Sequence, residues 1–260
     1  MHSPILAQII ATPYVNQKLS DCGYMVCLTP MSPSFADLYA RFEAPISALD
    51  CGERCAPYNE RGVPFCCDTR HTIPTAYMAE WEYLQANTDL WHTYQAPDPA
   101  ESARLAAQVP EGQVLIECLG HKLCQRGFRS ITCRAFPFFP YVTREGEFIG
   151  LSYYWEYEDR CWVISHLEVV TPAYLMQFVT TFEALFTAYP QEREGFRQEG
   201  IRMRRVFGRR KRAIPLLHRN GKCYKITPHN GRVRRVEPQA FGLHGVYQVV
   251  EKLPIDGERS

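Results

Sequence analysis

Cysteine spacing constrains this chain more than any other feature. Eleven cysteines occur in 260 residues, and seven of them form two short knots. The first is Cys51-Gly52-Glu53-Arg54-Cys55, then ten intervening residues, then the vicinal pair Cys66-Cys67. The second is Cys118, Cys124 and Cys133, running into Arg134-Ala135-Phe136-Pro137-Phe138. At about 4% of the residues, cysteine falls short of the ~8–10% that marks a disulfide scaffold. An odd total also cannot pair completely within one chain. A metal uses such spacing well, because one loop presents two thiolates and a second loop closes the coordination sphere.

All-thiolate sites select zinc or iron–sulfur clusters over hard cations. The Cys118-x5-Cys124 spacing is longer than the roughly two to four residues of a zinc knuckle. The expected cofactor is therefore an iron–sulfur cluster, 4Fe-4S foremost, with Zn as the alternative. Cys51, Cys55, Cys66, Cys67, Cys118, Cys124 and Cys133 are the expected metal ligands. Arg126, Arg129 and Arg134 can offset the negative charge of a thiolate centre, and Phe136, Phe138, Phe139 and Tyr141 can keep water off it. On an extended backbone Cys66 and Cys67 point to opposite faces. Either one of them packs inward, or the two serve different centres. The plainer reading of the set is buried free thiols, since cysteine is among the most buried residue types. Cys161 reads equally well as an eighth ligand or a core thiol. Cys22, Cys27 and Cys223 read as structural, although Cys22 and Cys27 could join a second centre.

No run approaches the roughly 18 apolar residues of a membrane span. The apolar stretch Pro4 to Ala11 has no Lys or Arg before it and no small-residue cleavage site after it. A cytoplasmic chain is expected on those grounds, in a compartment where thiols stay reduced or bind metal.

The knots, together with Arg129-Ser130-Ile131-Thr132-Cys133-Arg134-Ala135-Phe136-Pro137, resemble the zinc- or iron-chelating cysteine-cluster family of CxxCxxCC type. The resemblance covers about residues 48–140. It departs from the family in the ten residues before Cys66 and in Ser130, where the family has proline. The flagellin lysine-N-methylase resembles the same family. The resemblance thus implies, as one activity, iron–sulfur-assisted methylation of a protein substrate, with S-adenosylmethionine as a further cofactor. An enzymatic role of that kind stays open beside a structural or electron-transfer role with a redox partner.

His71, His121, Glu117 and Asp68 lie beside the knots and read either as mixed ligands or general acid–base groups, or as polar loop residues. No glycine-rich nucleotide loop and no Gly-x-Ser-x-Gly elbow is present. Net charge is +1, but residues 191–235 hold fifteen Lys or Arg against three Glu, a local +12 that leaves −11 elsewhere. The run Arg202 to Arg212 could bind nucleic acid or an acidic partner, with the metal merely holding the fold, or it could face the chain's own acidic part.

The expected fold class is α+β, with helices around a cysteine-rich metal site and antiparallel hairpins toward the C-terminus. A cysteine-cluster domain is expected over 1–189, with its motif core at 48–140. A basic connection (190–213) and a small C-terminal β unit are expected over 190–260. Periodicity and capping residues predict helices over 172–188, from Asp98 onward, near 75–92 and over 33–42. Turn pairs such as Asn220-Gly221 predict hairpins at about 138–155, 214–226 and 223–236.

Overall fold

The computed structural model describes residues 8–10 and 33–251; Cys22 and Cys27 lie outside them. The described residues form a mixed helix-and-sheet fold with two sheets. The smaller has strands β1 (Gln8–Ile10), β2 (Thr72–Tyr77), β3 (Trp91–Thr93) and β4 (Gln113–Cys118) in the order β1-β2-β4-β3. β1 runs parallel to β2, and the other pairs are antiparallel. The larger sheet is an antiparallel meander of β5 (Phe138–Val142), β6 (Phe148–Tyr153), β7 (Ile214–His218), β8 (Cys223–Ile226) and β9 (Val233–Arg235). Its three hairpins fall where the turn residues predict them, and β7–β9 extend the sheet that β5 and β6 begin.

Capping chemistry sets the clearest helices. α1 (Phe35–Arg41) starts at Ser34, whose hydroxyl accepts the Asp37 N–H at 3.1 Å while the Asp37 carboxylate accepts from the Ser34 N–H. α4 (Pro99–Ala106) starts at Asp98, which accepts the Ala100 N–H at 3.0 Å. α7 (Pro172–Ala188) starts at Thr171, which accepts the Tyr174 N–H at 3.1 Å. Each satisfies one of the orphan donors of a first turn. α7 buries Phe178, Phe182 and Leu185 against α1 and β6, and the rings of Phe42, Phe178, Phe182 and Phe196 pack in series.

Two stretches differ from expectation. The predicted helix near 75–92 is divided: β2 runs to Tyr77, α3 spans Met78–Asn87, and Trp91 opens β3. Thr75 and Ala76 pair with Leu115 and Val114 of β4, and that long-range ladder overrides a helical period that depends on only four apolar residues. The stretch 190–213, expected to be a connection, is mostly α8 (Pro190–Arg209). Its buried stripe, Phe196, Gly200, Met203 and Phe207, follows helical spacing but is diluted by Glu and Arg. Gly200 is required there, because a Cβ would lie 2.6 Å from the Val142 carbonyl oxygen of β5. Arg197–Glu194 and Arg202–Glu199 pairs run along its exposed side. Among the described residues, no helix is long and apolar enough to cross a membrane.

A buried carboxyl ties α1 and α3 to the segment that begins at Ile131. Glu80 of α3 is fully buried. It accepts the Tyr39 hydroxyl of α1 at 2.7 Å, the Ile131 N–H at 2.6 Å and the Tyr77 N–H at 3.3 Å. Burial pushes its carboxyl up to about 7, against the pull of those three donors. The folded state therefore holds this proton more tightly than the unfolded chain. The stabilisation is complete below the ordinary glutamate value and disappears as pH rises through about 7. Melting temperatures taken from pH 5 to 8 should show a decline that Glu80→Gln lacks, worth up to about 3 kcal/mol of stability. Parallel pH profiles for the two proteins would remove this role from Glu80.

Candidate metal centre

The first knot is built by α2 (Cys51–Cys55) and the turn that follows. Asp50 caps α2 by accepting the Gly52 N–H at 2.9 Å, and its other oxygen pairs with Arg126 at 3.1 Å. That pair ties the first knot to the loop of the second. Gly52 lets α2 sit directly on the next segment: a Cβ would come within 2.9 Å of the Pro64 ring. Pro64 leads into a single 3-10 turn, Phe65–Cys67, which carries the vicinal pair. The two sulfurs lie 4.0 Å apart. The tight turn abolishes the divergence expected on an extended backbone, because successive side chains in a 3-10 turn are rotated by about a third of a turn and not by half.

Asp68 holds this turn in place. It is buried and accepts from Asn59 at 3.1 Å, from the Arg70 N–H at 3.1 Å and from the Arg70 guanidinium at 2.8 Å. Burial would raise its carboxyl, but the hydrogen bonds from Arg70 and Asn59 outweigh it and hold the group well below the usual carboxylate range. Its donors are protein groups that organise the loop. His71 is likewise engaged, its Nδ1 3.2 Å from Arg160 and its ring edge-on to Phe65.

The second knot hangs on the end of β4 and on α5 (Ile131–Ala135). Ser130 accepts the Cys133 N–H at 3.2 Å and so begins the helical turn that carries Cys133. Arg134 secures that turn from behind. It is buried, stacks 4.2 Å over the Tyr39 ring, and donates to the carbonyls of Arg129 at 2.8 Å, Gly127 at 2.6 Å, Tyr39 at 3.1 Å and Phe42. Its fork is spent on backbone oxygens and not on sulfur. Arg129 takes the electrostatic role instead. Its Nε donates to the Cys124 sulfur at 3.1 Å, and although burial opposes its charge, Cys133 and Cys124 hold the guanidinium in its protonated form.

Five of the seven expected ligands, Cys66, Cys67, Cys118, Cys124 and Cys133, line one cavity of about 50 Å³. That is several times the ~10–15 Å³ a single water requires. Its walls are aromatic and aliphatic, with Trp91, Leu90, Pro74 and Phe136 beside the thiols, and Arg129, Glu117, Thr69 and His121 as the polar exceptions. Trp91, expected on a helix, reaches the wall from β3 and is oriented by its Nε1–H donating to the Phe128 carbonyl at 2.7 Å. Glu117 accepts from Thr69 at 3.0 Å and lies 3.5 Å from His92 Nε2. Cys51 and Cys55 sit at the two ends of α2, and neither they nor Cys161 lie on the cavity wall.

Burial pushes the Cys133 thiol up to about 12, against the pull of Arg129, and pushes Cys118 up as well. Within the vicinal pair the contact between the two sulfurs raises Cys66 and lowers Cys67. The donor set is chemically that of a thiolate centre, because sulfur dominates it and a guanidinium stands ready to balance anionic charge. Among the described residues, no three His, Cys, Asp or Glu side chains converge closely enough to hold a single ion. The Cys66 and Cys67 sulfurs, 4.0 Å apart, are close to the separation of about 3.8 Å that a four-thiolate zinc site with Zn–S near 2.3 Å needs.

Compared with protein-family models, with the curated proteins and with the solved structures, the chain finds no match in any of the three.

Removing Arg134 leaves four carbonyl oxygens without their donor. Arg134→Met should lower stability by roughly 3 kcal/mol. Arg134→Lys should recover little of it, since one ammonium cannot reproduce the planar fork. Chemical denaturation of the two variants measures both effects, and a stable lysine variant would show that the fork geometry is not what holds the turn.

Proposed function

We propose that this protein binds a metal through cysteine thiolates, as an iron–sulfur cluster whose role is structural or electron-carrying. The observation that carries the reading is the convergence of both knots on one lined cavity. Cys66 and Cys67 arrive from one segment and Cys118, Cys124 and Cys133 from another, with the Arg129 guanidinium on sulfur. Free thiols packed for their hydrophobicity need neither a cavity nor a half-buried cation aimed at them. A cluster would be held by these thiolates. It supplies a reversible one-electron couple or a rigid crosslink, and the aromatic walls and the Arg129 contact are the levers by which a protein tunes such a centre.

The interval Cys118-x5-Cys124, longer than that of a zinc knuckle, favours iron–sulfur over mononuclear zinc. A cluster spreads its ligands around a polynuclear body, one thiolate per iron, whereas zinc draws four sulfurs to a point. The same reading aligns the chain with the cysteine-cluster proteins its knots resemble. The basic stretch supports a nucleic-acid role less well, because several of its guanidiniums are engaged internally. Arg202 pairs with Glu199 and Glu156 at 3.0 Å and lies over Trp155, while Arg210 and Arg212 both meet Glu158, the latter at 2.8 Å.

Anaerobic purification with iron, acid-labile sulfide and zinc analysis tests the reading. Brown protein with broad visible absorption and matched iron and sulfide is expected. Stoichiometric zinc in colourless protein would replace the cluster with a zinc site, and neither metal after reconstitution would refute the metal centre. Cys133→Ala should reduce the retained metal and lower the melting temperature, because losing one thiolate opens the centre to water.

A further inference from the structure

We propose that the end of α8 and the edge strand β9 form one surface that binds the phosphate backbone of a nucleic-acid duplex. The inference does not depend on the metal centre. It starts from the basic block 191–235, with fifteen Lys or Arg against three Glu, and from how the fold sorts those cations. Arg197, Arg202, Arg210, Arg212 and Arg219 are spent on carboxylates. Arg205 and Arg209 of α8, Lys211 just past it, and Arg232, Arg234 and Arg235 at β9 are all exposed. Among the described residues, none of these six side chains has a hydrogen bond or an ion pair.

Arg204 brings the two groups together. From α8 its guanidinium donates to the Pro228 carbonyl at 2.7 Å and to the His229 carbonyl at 3.2 Å, both in the turn that joins β8 to β9. The turn closes on the helix at two glycines. A Cβ on Gly208 would lie 3.8 Å from the Pro228 ring, and one on Gly231 would lie 3.3 Å from the Arg204 guanidinium. Arg232 follows Gly231 directly, while Arg205 and Arg209 stand one helical turn apart on α8. Free cations from both elements therefore flank a single clamp. Arg204 adds its own charge, since its partners are carbonyl oxygens and it pairs with no carboxylate. Two carboxylates stand nearby, Glu145 in the turn between β5 and β6 and Glu237 just after β9, and neither pairs with any of these side chains. β9 is the outermost strand of its sheet, with all three residues exposed, so its arginines reach solvent at an open edge.

The partner follows from what this surface offers. Six of its seven cations are guanidiniums, whose planar fork matches phosphate oxygens in pairs. A protein partner needs an apolar centre to its interface, and a membrane surface rewards apolar side chains that enter it. Among the described residues, Val233 is the only large exposed apolar side chain on these two elements. Single strands are held largely by bases stacked on aromatic rings, and neither α8 nor β9 carries an exposed Phe, Tyr or Trp. Recognition of a regular backbone by charge is what remains.

The full chain, titrated against short labelled DNA and RNA duplexes of mixed sequence, supplies the test, with fluorescence anisotropy read from roughly 50 to 200 mM salt. Contact with about five phosphates predicts that log affinity falls against log salt with a slope of about −4.5 on DNA. Arg209→Ala and Arg234→Ala, one from each element, should each flatten that slope by about 1, and the double variant by about 2. Arg41→Ala removes an exposed cation of α1 and should match the wild type. Circular dichroism establishes that each variant is folded, and Arg209→Gln or Arg234→Gln replaces an alanine variant that is not. No binding to either duplex at the lowest salt overturns the proposal, as does a slope that both variants leave unchanged. An effect from only one of the two overturns the joint surface. Tighter binding to a single strand of the same length, to polyglutamate or to vesicles containing phosphatidylserine overturns the choice of a duplex.

Discussion

Two buried charges meet at Tyr39, and the geometry of the second cysteine knot depends on them. Glu80 takes the Tyr39 hydroxyl and the Ile131 N–H that opens α5; Arg134, on α5 itself, stacks on the Tyr39 ring and reaches back to the Tyr39 carbonyl. Burying either group costs several kcal/mol unless hydrogen bonds replace its water. Here they do: Glu80 accepts three donors, and Arg134 serves four carbonyls. The arrangement leaves α1, α3 and α5 only one way to fit together. Cys133, one residue before Arg134, inherits that rigidity.

The thiols around the cavity are held in the opposite condition. Burial raises the Cys118 and Cys133 thiols, so without a metal those two are neutral and poorly nucleophilic. A bound metal would reverse this by displacing their protons, and Arg129, whose Nε donates to the Cys124 sulfur at 3.1 Å, stands beside the negative charge that would result. Two arginines five residues apart thus divide the work: Arg134 is structural and faces carbonyls, and Arg129 is electrostatic and faces sulfur. Nothing in their residue type separates them. The division comes from position: Arg134 lies on α5, whereas Arg129 precedes it.

Much of the local structure was legible in the residues. Ser34, Asp98 and Thr171 mark helix starts because their side chains satisfy first-turn donors wherever the helix ends up, and Asn-Gly and Glu-Gly pairs mark the hairpins for an equally local reason. α8 was not legible. Its apolar stripe is one residue per turn, its glycines weaken the pattern, and only contact with β5 and α7 makes that thin stripe sufficient. The division of 75–92 was hidden for a related reason, since β2 becomes a strand only when β4 is beside it.

For the site, the residue types and spacings by themselves determined that any ligand chemistry here would be that of sulfur, offered by two knots. This follows because thiolate affinity for soft metals is a property of the side chain and not of the fold. Only the tertiary structure decided which sulfurs face one another. The 3-10 turn brought Cys66 and Cys67 together where an extended strand would part them. The packing of α2 on the short helix α6 (Trp162–Ser165) brought Cys161, the residue before that helix, within reach of Cys51 and Cys55, which no sequence interval reveals, because a distance across a helix interface is set by packing and not by separation along the chain.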